Sequence, residues 1–257
     1  MAESTILSDG IIIKSKAEIA LMRQAGRIVA TVLQTLSREI RAGMKTKELD
    51  VLAAREVARL GGIASFLGYR GYPANICVSI NDEVVHGIPG ERVLREGDIV
   101  SLDFGAIYQG FQGDAAVTVT VGKVSPEAKE LLEVTQGALS AGIKAARGGN
   151  RIGDISAAVQ NYAESRGFSV VREYSGHGIG RALHEEPQIA NFGIAGHGIL
   201  LRPGMTFAIE PMVNIGGWQT KVADNQWTVS TADGSLSAHF EHTIAITNGE
   251  AEVLTKI

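Results

Sequence analysis

Four carboxylates and a histidine stand among residues that otherwise read as buried strand. Asp103 closes L-R-E-G-D-I-V-S-L-D at 94–103, and Glu210 closes L-R-P-G-M-T-F-A-I-E at 201–210, an offset of 107. Asp114 opens D-A-A-V-T-V-T-V-G and Glu241 opens E-H-T-I-A-I-T-N-G, with Thr and Gly at matching places in both. His177 lies in G-H-G-I-G at 176–180. A carboxylate ending a run of apolar and β-branched residues is in the wrong solvent unless something pairs with it. Four that converge in one cleft repel, and their pKa values are driven apart. Two divalent cations would cancel that charge. One imidazole and four carboxylates offer nitrogen and oxygen donors without a thiolate, which suits Mn, Fe, Co or Zn rather than a Cys-rich structural zinc. Because carboxylates bridge, five residues suffice for two ions about 3.5–4 Å apart, the spacing of hydrolytic two-metal sites. Singly, each acid reads as a cap or a surface ion pair. The repetition, joined to a histidine in a Gly-rich segment, is what carries the metal reading.

The elements that must position these residues also occur twice. Arg41-Ala42-Gly43 before Glu48-Leu49 is echoed by Arg147-Gly148-Gly149 before Asp154-Ile155, and Gly61 by Gly167, all at an offset of 106. The sequence therefore predicts one unit over 1–257 built of two similar halves, about 14–122 and 123–257, closing on a common site. Ser15 with Glu18 makes a capping box for a helix over 16–38. A second helix follows Thr46 and stops at Gly61-Gly62. An aromatic, Gly-rich loop, F-L-G-Y-R-G-Y-P, precedes a short strand at 76–80, and a strand pair is expected over 98–104 and 111–121. Ser125-Pro126 starts a helix running to about 146, followed by another at 153–166 and a strand near 168–172. Strands at 205–213 and 238–247 flank a polar hairpin. Helix, helix, strands, twice over, is an α+β fold with a mostly antiparallel sheet. Asp103 and Asp114, 11 apart, suit the facing strands of one hairpin, whereas Glu210 and Glu241, 31 apart, need the long hairpin between them.

Composition narrows the partners. The net charge of −4 comes without a Lys/Arg-rich run, which argues against nucleic acid or an anionic membrane as the main partner. A single cysteine, Cys77, forbids an internal disulfide and fits a reducing cytoplasm. The first ten residues lack a basic region followed by an apolar run, so no signal peptide is read, and no apolar run approaches the ~18 residues of a membrane span. Cys77 also invites a nucleophile reading, but it sits in a strand of Ile and Val with no base beside it, and reads as a small hydrophobe.

The motifs together resemble the pita-bread metallopeptidases, and within them the short bacterial type I methionine aminopeptidases. N-x-x-V-x-H-G-I-P at 81–89, D-F-G at 103–105, G-D at 113–114, G-H-G-I-G at 176–180, L-H-E-E-P at 183–187, A-I-E-P at 208–211 and S-A-H-F-E-H-T at 237–243 carry the likeness across essentially the whole chain. The resemblance implies five ligands for two divalent ions (Co, Mn, Fe or Zn): Asp103, Asp114, His177, Glu210 and Glu241, with Asp114 and Glu241 serving both. It implies that His86 binds the substrate backbone and helps move protons, that His184 bonds the scissile carbonyl oxygen, and that Glu210 shuttles the proton of an attacking hydroxide. Without the family, His86 reads as a satisfied loop histidine and His184 as a helix or turn residue. Phe66, Tyr69, Tyr72, Cys77 and Trp227 are implied to line a methionine pocket; relatives often carry Cys where Phe66 stands and an aromatic where Leu183 stands. The implied activity is removal of the initiator methionine from nascent chains by a cytoplasmic monomer working near the ribosome. The alternatives are a proline-selective aminopeptidase or prolidase of the same fold, which usually carries an added N-terminal domain, and a non-catalytic peptide-binding module, which would have lost ligands.

Overall fold

Ser15 opens the first helix with the predicted capping box: Glu18 N–H donates to Ser15 Oγ at 3.3 Å, and Ser15 N–H to the Glu18 carboxylate at 2.9 Å. That helix, α1, spans Lys16–Glu39 and buries Met22, Ala25, Val29, Val32 and Leu36 along one stripe. α2 spans Thr46–Arg59, α3 Pro126–Ala145 and α4 Ile152–Glu164. The structure is a computed structural model that describes residues 5–7 and 9–257; residues 1–4, where part of the signal-peptide reading falls, lie outside the described residues.

A nine-stranded antiparallel sheet forms the frame. Its path runs through strands Glu185–Ala190, Ser175–Gly178, Thr206–Ile209, Glu241–Ala245, Phe111–Thr120, Ile99–Tyr108 and Ile63–Ala64; Cys77–Ile80 also pairs with Ile99–Tyr108, and Glu252–Val253 with Glu241–Ala245. Helices pack behind it. α1 and α2 share a core with Val78, Val100, Leu102 and Phe104, and α3 and α4 share another with Phe207, Ile209, Val213 and Ile244. α1 approaches the sheet so closely that a Cβ on Gly113 would lie 2.8 Å from the Gly26 nitrogen, while a Cβ on Gly26 would collide with the Leu254 carbonyl, so both positions need glycine.

The internal repeat is written in the hydrogen bonds. Gly43 N–H donates to Leu94 O, and Gly149 N–H to Leu201 O; Thr46 N–H donates to Arg92 O, and Ile152 N–H to Ile199 O. Lys45 bridges Val93 as Arg151 bridges Leu200. Gly97 and Gly204, each closing its turn before the matched strands, share a left-handed φ of +96° and +92°. The recurring L-R-x-G motif is thus the same turn used twice.

The structure corrects two expectations and adds two features. Asp103 lies in the middle of its strand, which runs on to Tyr108, because Gly105 to Tyr108 keep pairing with the opposite strand. The strands expected at 205–213 and 238–247 are each broken, at Glu210-Pro211 and at Phe240, where the chain passes from the nine-stranded sheet to a separate three-stranded one. Glu185–Ala190 is a strand paired with Ser175–Gly178, in a Gly-rich stretch to which no strand was assigned from sequence. A hairpin of Thr5–Ile6 and Ile12–Ile13 was not foreseen; pairs this short leave no periodicity to read.

Candidate metal centre and substrate cleft

The pleat of the sheet brings the acidic residues together. Asp103 pairs with Ala116, and Ala116 with Glu241 on the next strand, so Asp103, Ala116 and Glu241 form one row across the sheet. Asp114, two residues from Ala116, points to the same face. Ile209 pairs with His242, which sets Glu210 beside Glu241 across the break. His177 pairs with Ala208, two residues before Glu210, and again falls on that face. Strand pairing and alternation gather four of the five, and Glu210 joins them from the break just after its strand.

Their electrostatics are those of donors that lack a partner. Asp103 Oδ1, Asp114 Oδ1 and Glu241 Oε1 are buried without a hydrogen bond among the described residues. Burial pushes the Asp103 carboxyl up to about 7. Burial raises Asp114, Glu210 and Glu241 well above the usual carboxylate range, and repulsion from neighbouring carboxylates in the cluster adds to it. His177 Nδ1 lies 2.8 Å from Gly178 O, an acceptor only, so Nδ1 carries the ring proton and Nε2 keeps its lone pair. Burial, followed by the nearby His184, lowers His177 to about 3, so it stays neutral. Its Nε2 lies 3.5 Å from Glu210 Oε1. One donor atom from each of Asp114, His177 and Glu241 lies within 4.8 Å of the others. Orphaned oxygens and an imidazole lone pair in one buried cluster fit a divalent cation.

All twelve residues singled out in the sequence line one cavity of about 140 Å³. Beside the acidic cluster stand His177 and His184, with ring centroids 4.1 Å apart. Tyr69 stacks on His184, and its hydroxyl lies 2.9 Å from His184 Nδ1. When Tyr69 donates there, the ring proton stays on Nε2. Burial and the Arg70 charge lower His184, which favours the neutral ring. His86 has a left-handed φ of 60°, sits edge-on to Tyr174 at 5.8 Å, and is lowered to about 4 by burial and then by His184. Tyr72 donates to Gly87 O at 2.8 Å, tying the aromatic loop to the turn that holds His86, and meets Trp227 edge-on at 5.1 Å. Cys77 pairs with Asp103 in the sheet; burial and the Asp103 charge raise its thiol well above the ordinary value, so it stays protonated and is a poor nucleophile. Arg70 and Leu183 complete the lining. Sequence reasoning gave Arg70 no role and did not single out Tyr174 or His239, since none of them falls in the repeated acidic pattern.

A sheet duplicated across a seam, helices behind it and a cluster of cation-seeking donors in front define a metal-dependent peptidase of pita-bread architecture. The chain belongs to metallopeptidase family M24, whose family model matches residues 20–248. It is 51% identical over 247 residues to methionine aminopeptidase 1 of Bacillus subtilis, covering 96% of this chain and 100% of that protein. The crystal structure of a methionine aminopeptidase from Thermotoga maritima superposes with a TM-score of 0.95 at 49% identity, covering 96% of this chain and 100% of that one. A prolidase from Pyrococcus furiosus shares the fold with a TM-score of 0.78 at 22% identity; the match covers 97% of this chain but only 66% of the prolidase.

Proposed function

We propose that this protein removes the N-terminal methionine from nascent polypeptides as a metal-dependent exopeptidase. The observation that carries the proposal is the cavity itself: its floor is the buried acidic cluster, and its wall is aromatic residues with one protonated thiol. Full-length likeness to methionine aminopeptidases, against a partial, fold-level likeness to a prolidase, supports methionine over proline.

In this reading Asp103, Asp114, His177, Glu210 and Glu241 would hold two divalent ions (Mn, Fe, Co or Zn), Asp114 and Glu241 contributing to both. When bound, such ions would supply positive charge for a free α-amine and would acidify a water. The chain's own groups do the rest. Phe66, Tyr69, Tyr72, Cys77 and Trp227 take the methionine side chain, the thiol and rings offering a soft, polarisable wall to a thioether. His184 offers its Nε2 proton to the carbonyl oxygen as negative charge develops there, held in that tautomer by Tyr69. Glu210, ionised when it binds metal, would accept the proton of the attacking water. His86 binds the substrate backbone and remains neutral, able to accept a hydrogen bond or pass on a proton. An internal peptide bond has no amine to offer, so cleavage is confined to the first residue.

The same proposal treats residues 1–257 as one catalytic unit and the protein as a cytoplasmic monomer that meets its substrates close to the ribosome. Among the described residues no helix is long and apolar enough to cross a membrane. Parallel assays on Met-Ala-Ser and Ala-Pro-Ala test the proposal. Release of methionine from the first alone is expected, and cleavage of the second would transfer the enzyme to the proline-selective branch.

A further inference from the structure

His239 is buried beside the acidic cluster, and the reaction described above does not use it. It is 1% exposed, and neither of its ring nitrogens has a hydrogen-bond partner among the described residues. Two orphaned nitrogens on one buried ring are costly unless a function holds them there. The ring's position is firmly set. His239 N–H donates to Thr118 Oγ1 at 2.9 Å, and the same hydroxyl donates to His239 O at 2.8 Å, so a strand of one half clamps the residue into the other.

From that position His239 Nε2 lies 3.9 Å from Glu210 Oε2 and 3.9 Å from Glu241 Oε2. Glu210 Oε1 lies 3.5 Å from His177 Nε2, and Glu241 Oε1 is buried without a partner among the described residues. Glu210 therefore presents one oxygen to His239 and one to His177, and Glu241 presents one oxygen to His239 while the other is free to bind a cation. At 3.9 Å a direct hydrogen bond is about 1 Å too long. A small rotation of either carboxyl group closes that gap. A carboxylate can only accept, so the contact is favourable only when Nε2 carries the ring proton.

We propose that His239 is a positioning residue whose Nε2–H bonds the Oε2 atoms of Glu210 and Glu241, keeping their Oε1 atoms turned toward the ions and so setting metal affinity and geometry. This rests on the reading of both glutamates as metal ligands. Outer partners of ligating carboxylates commonly contribute tenfold or more to metal affinity.

Zinc binding to the metal-stripped full chain, by competition with a chromophoric chelator, tests the proposal. His239→Met keeps volume without a donor and is expected to raise the zinc Kd about 10-fold or more, while His239→Gln, whose amide restores an N–H, recovers most of the loss. The visible spectrum of the cobalt-loaded protein is expected to change in the first variant and return in the second. An unchanged Kd and cobalt spectrum in His239→Met, or equal losses in both variants, would overturn the proposal. A direct readout needs no variant: long-range proton–nitrogen spectra of the zinc-loaded protein are expected to show His239 protonated on Nε2, and a proton on Nδ1 instead would also overturn it. Glu241→Gln serves as the control. If it binds zinc as tightly as the parent, the ligand reading itself has failed.

Discussion

Asp114 and Thr243 are bonded to each other twice across the seam of the molecule. Asp114 N–H donates to Thr243 Oγ1 at 2.9 Å, and that hydroxyl donates to Asp114 O at 2.7 Å. A proposed bridging ligand of the first half is thus held by the residue two positions after its counterpart, Glu241, in the second. This hydroxyl adds a side-chain link to the strand pairing of Ala116 with Glu241 that already joins the halves at the centre.

Thr243→Val, nearly the same shape, should therefore destabilise the protein by about 1–3 kcal/mol, because the Asp114 N–H would be left buried and unpaired. Urea unfolding of the metal-free protein checks this, with Thr243→Ser expected to retain most of the stability. A valine variant as stable as the parent would show that the seam does not depend on this pair.

Glu210→Gln should separate chemistry from folding. Burying a neutral amide costs less than burying a carboxylate, so the metal-free variant should be at least as resistant to urea as the parent. Its kcat on Met-Ala-Ser should fall by about 10²–10⁴-fold, the usual contribution of a positioned general base. Activity that survives the change would remove Glu210 from the proton path.

Tyr69 and His184 should behave as one unit. His184→Ala is expected to lower kcat by about 10²–10³-fold, the range seen when one donor to a developing oxyanion is lost. Tyr69→Phe leaves the imidazole without its tautomer-fixing partner and should cost less. The double variant should be little worse than His184→Ala alone, since residues in contact are not additive. Full additivity in a double-mutant cycle would mean that Tyr69 acts only as a pocket wall.

Much of this site is legible in the sequence because strand alternation is strict. Asp103, Asp114, Glu210 and Glu241 are two pairs in a duplicated pattern, and a period of two places each pair on one face once the register of the paired strands is set. The capping box at Ser15 and the Pro126 start were equally readable, since they are local. His86 and His184 fall outside the repeat and needed the family resemblance, because their positions depend on turns: His86 on a left-handed φ and His184 on the bend before the Glu185–Ala190 strand. His239 was least legible of all. One residue in a strand of three, it reaches Glu210 only because the chain breaks at Pro211 and at Phe240 and carries Ser237–His239 into a different sheet.

Metal binding should be pH-dependent and should release protons. Burial holds Asp103 at about 7 and the other three carboxyls well above the usual carboxylate range in the metal-free protein. Ligands bind ionised, so these protons must leave as ions enter. Affinity should accordingly rise between pH 6 and 8 and weaken as pH falls through that window. His177, already neutral because its pKa is lowered to about 3, adds nothing to the slope. Calorimetry in buffers of different ionisation enthalpy counts the protons; a count of zero would contradict the buried, protonated cluster.

The most direct test follows methionine release from Met-Ala-Ser while divalent metal is titrated back into the stripped protein and its bound metal is measured. The account predicts no turnover without metal, then activity that rises with the metal bound and is absent in Glu241→Gln at the same loading. Turnover by the stripped protein, or none from a fully loaded one, would contradict it.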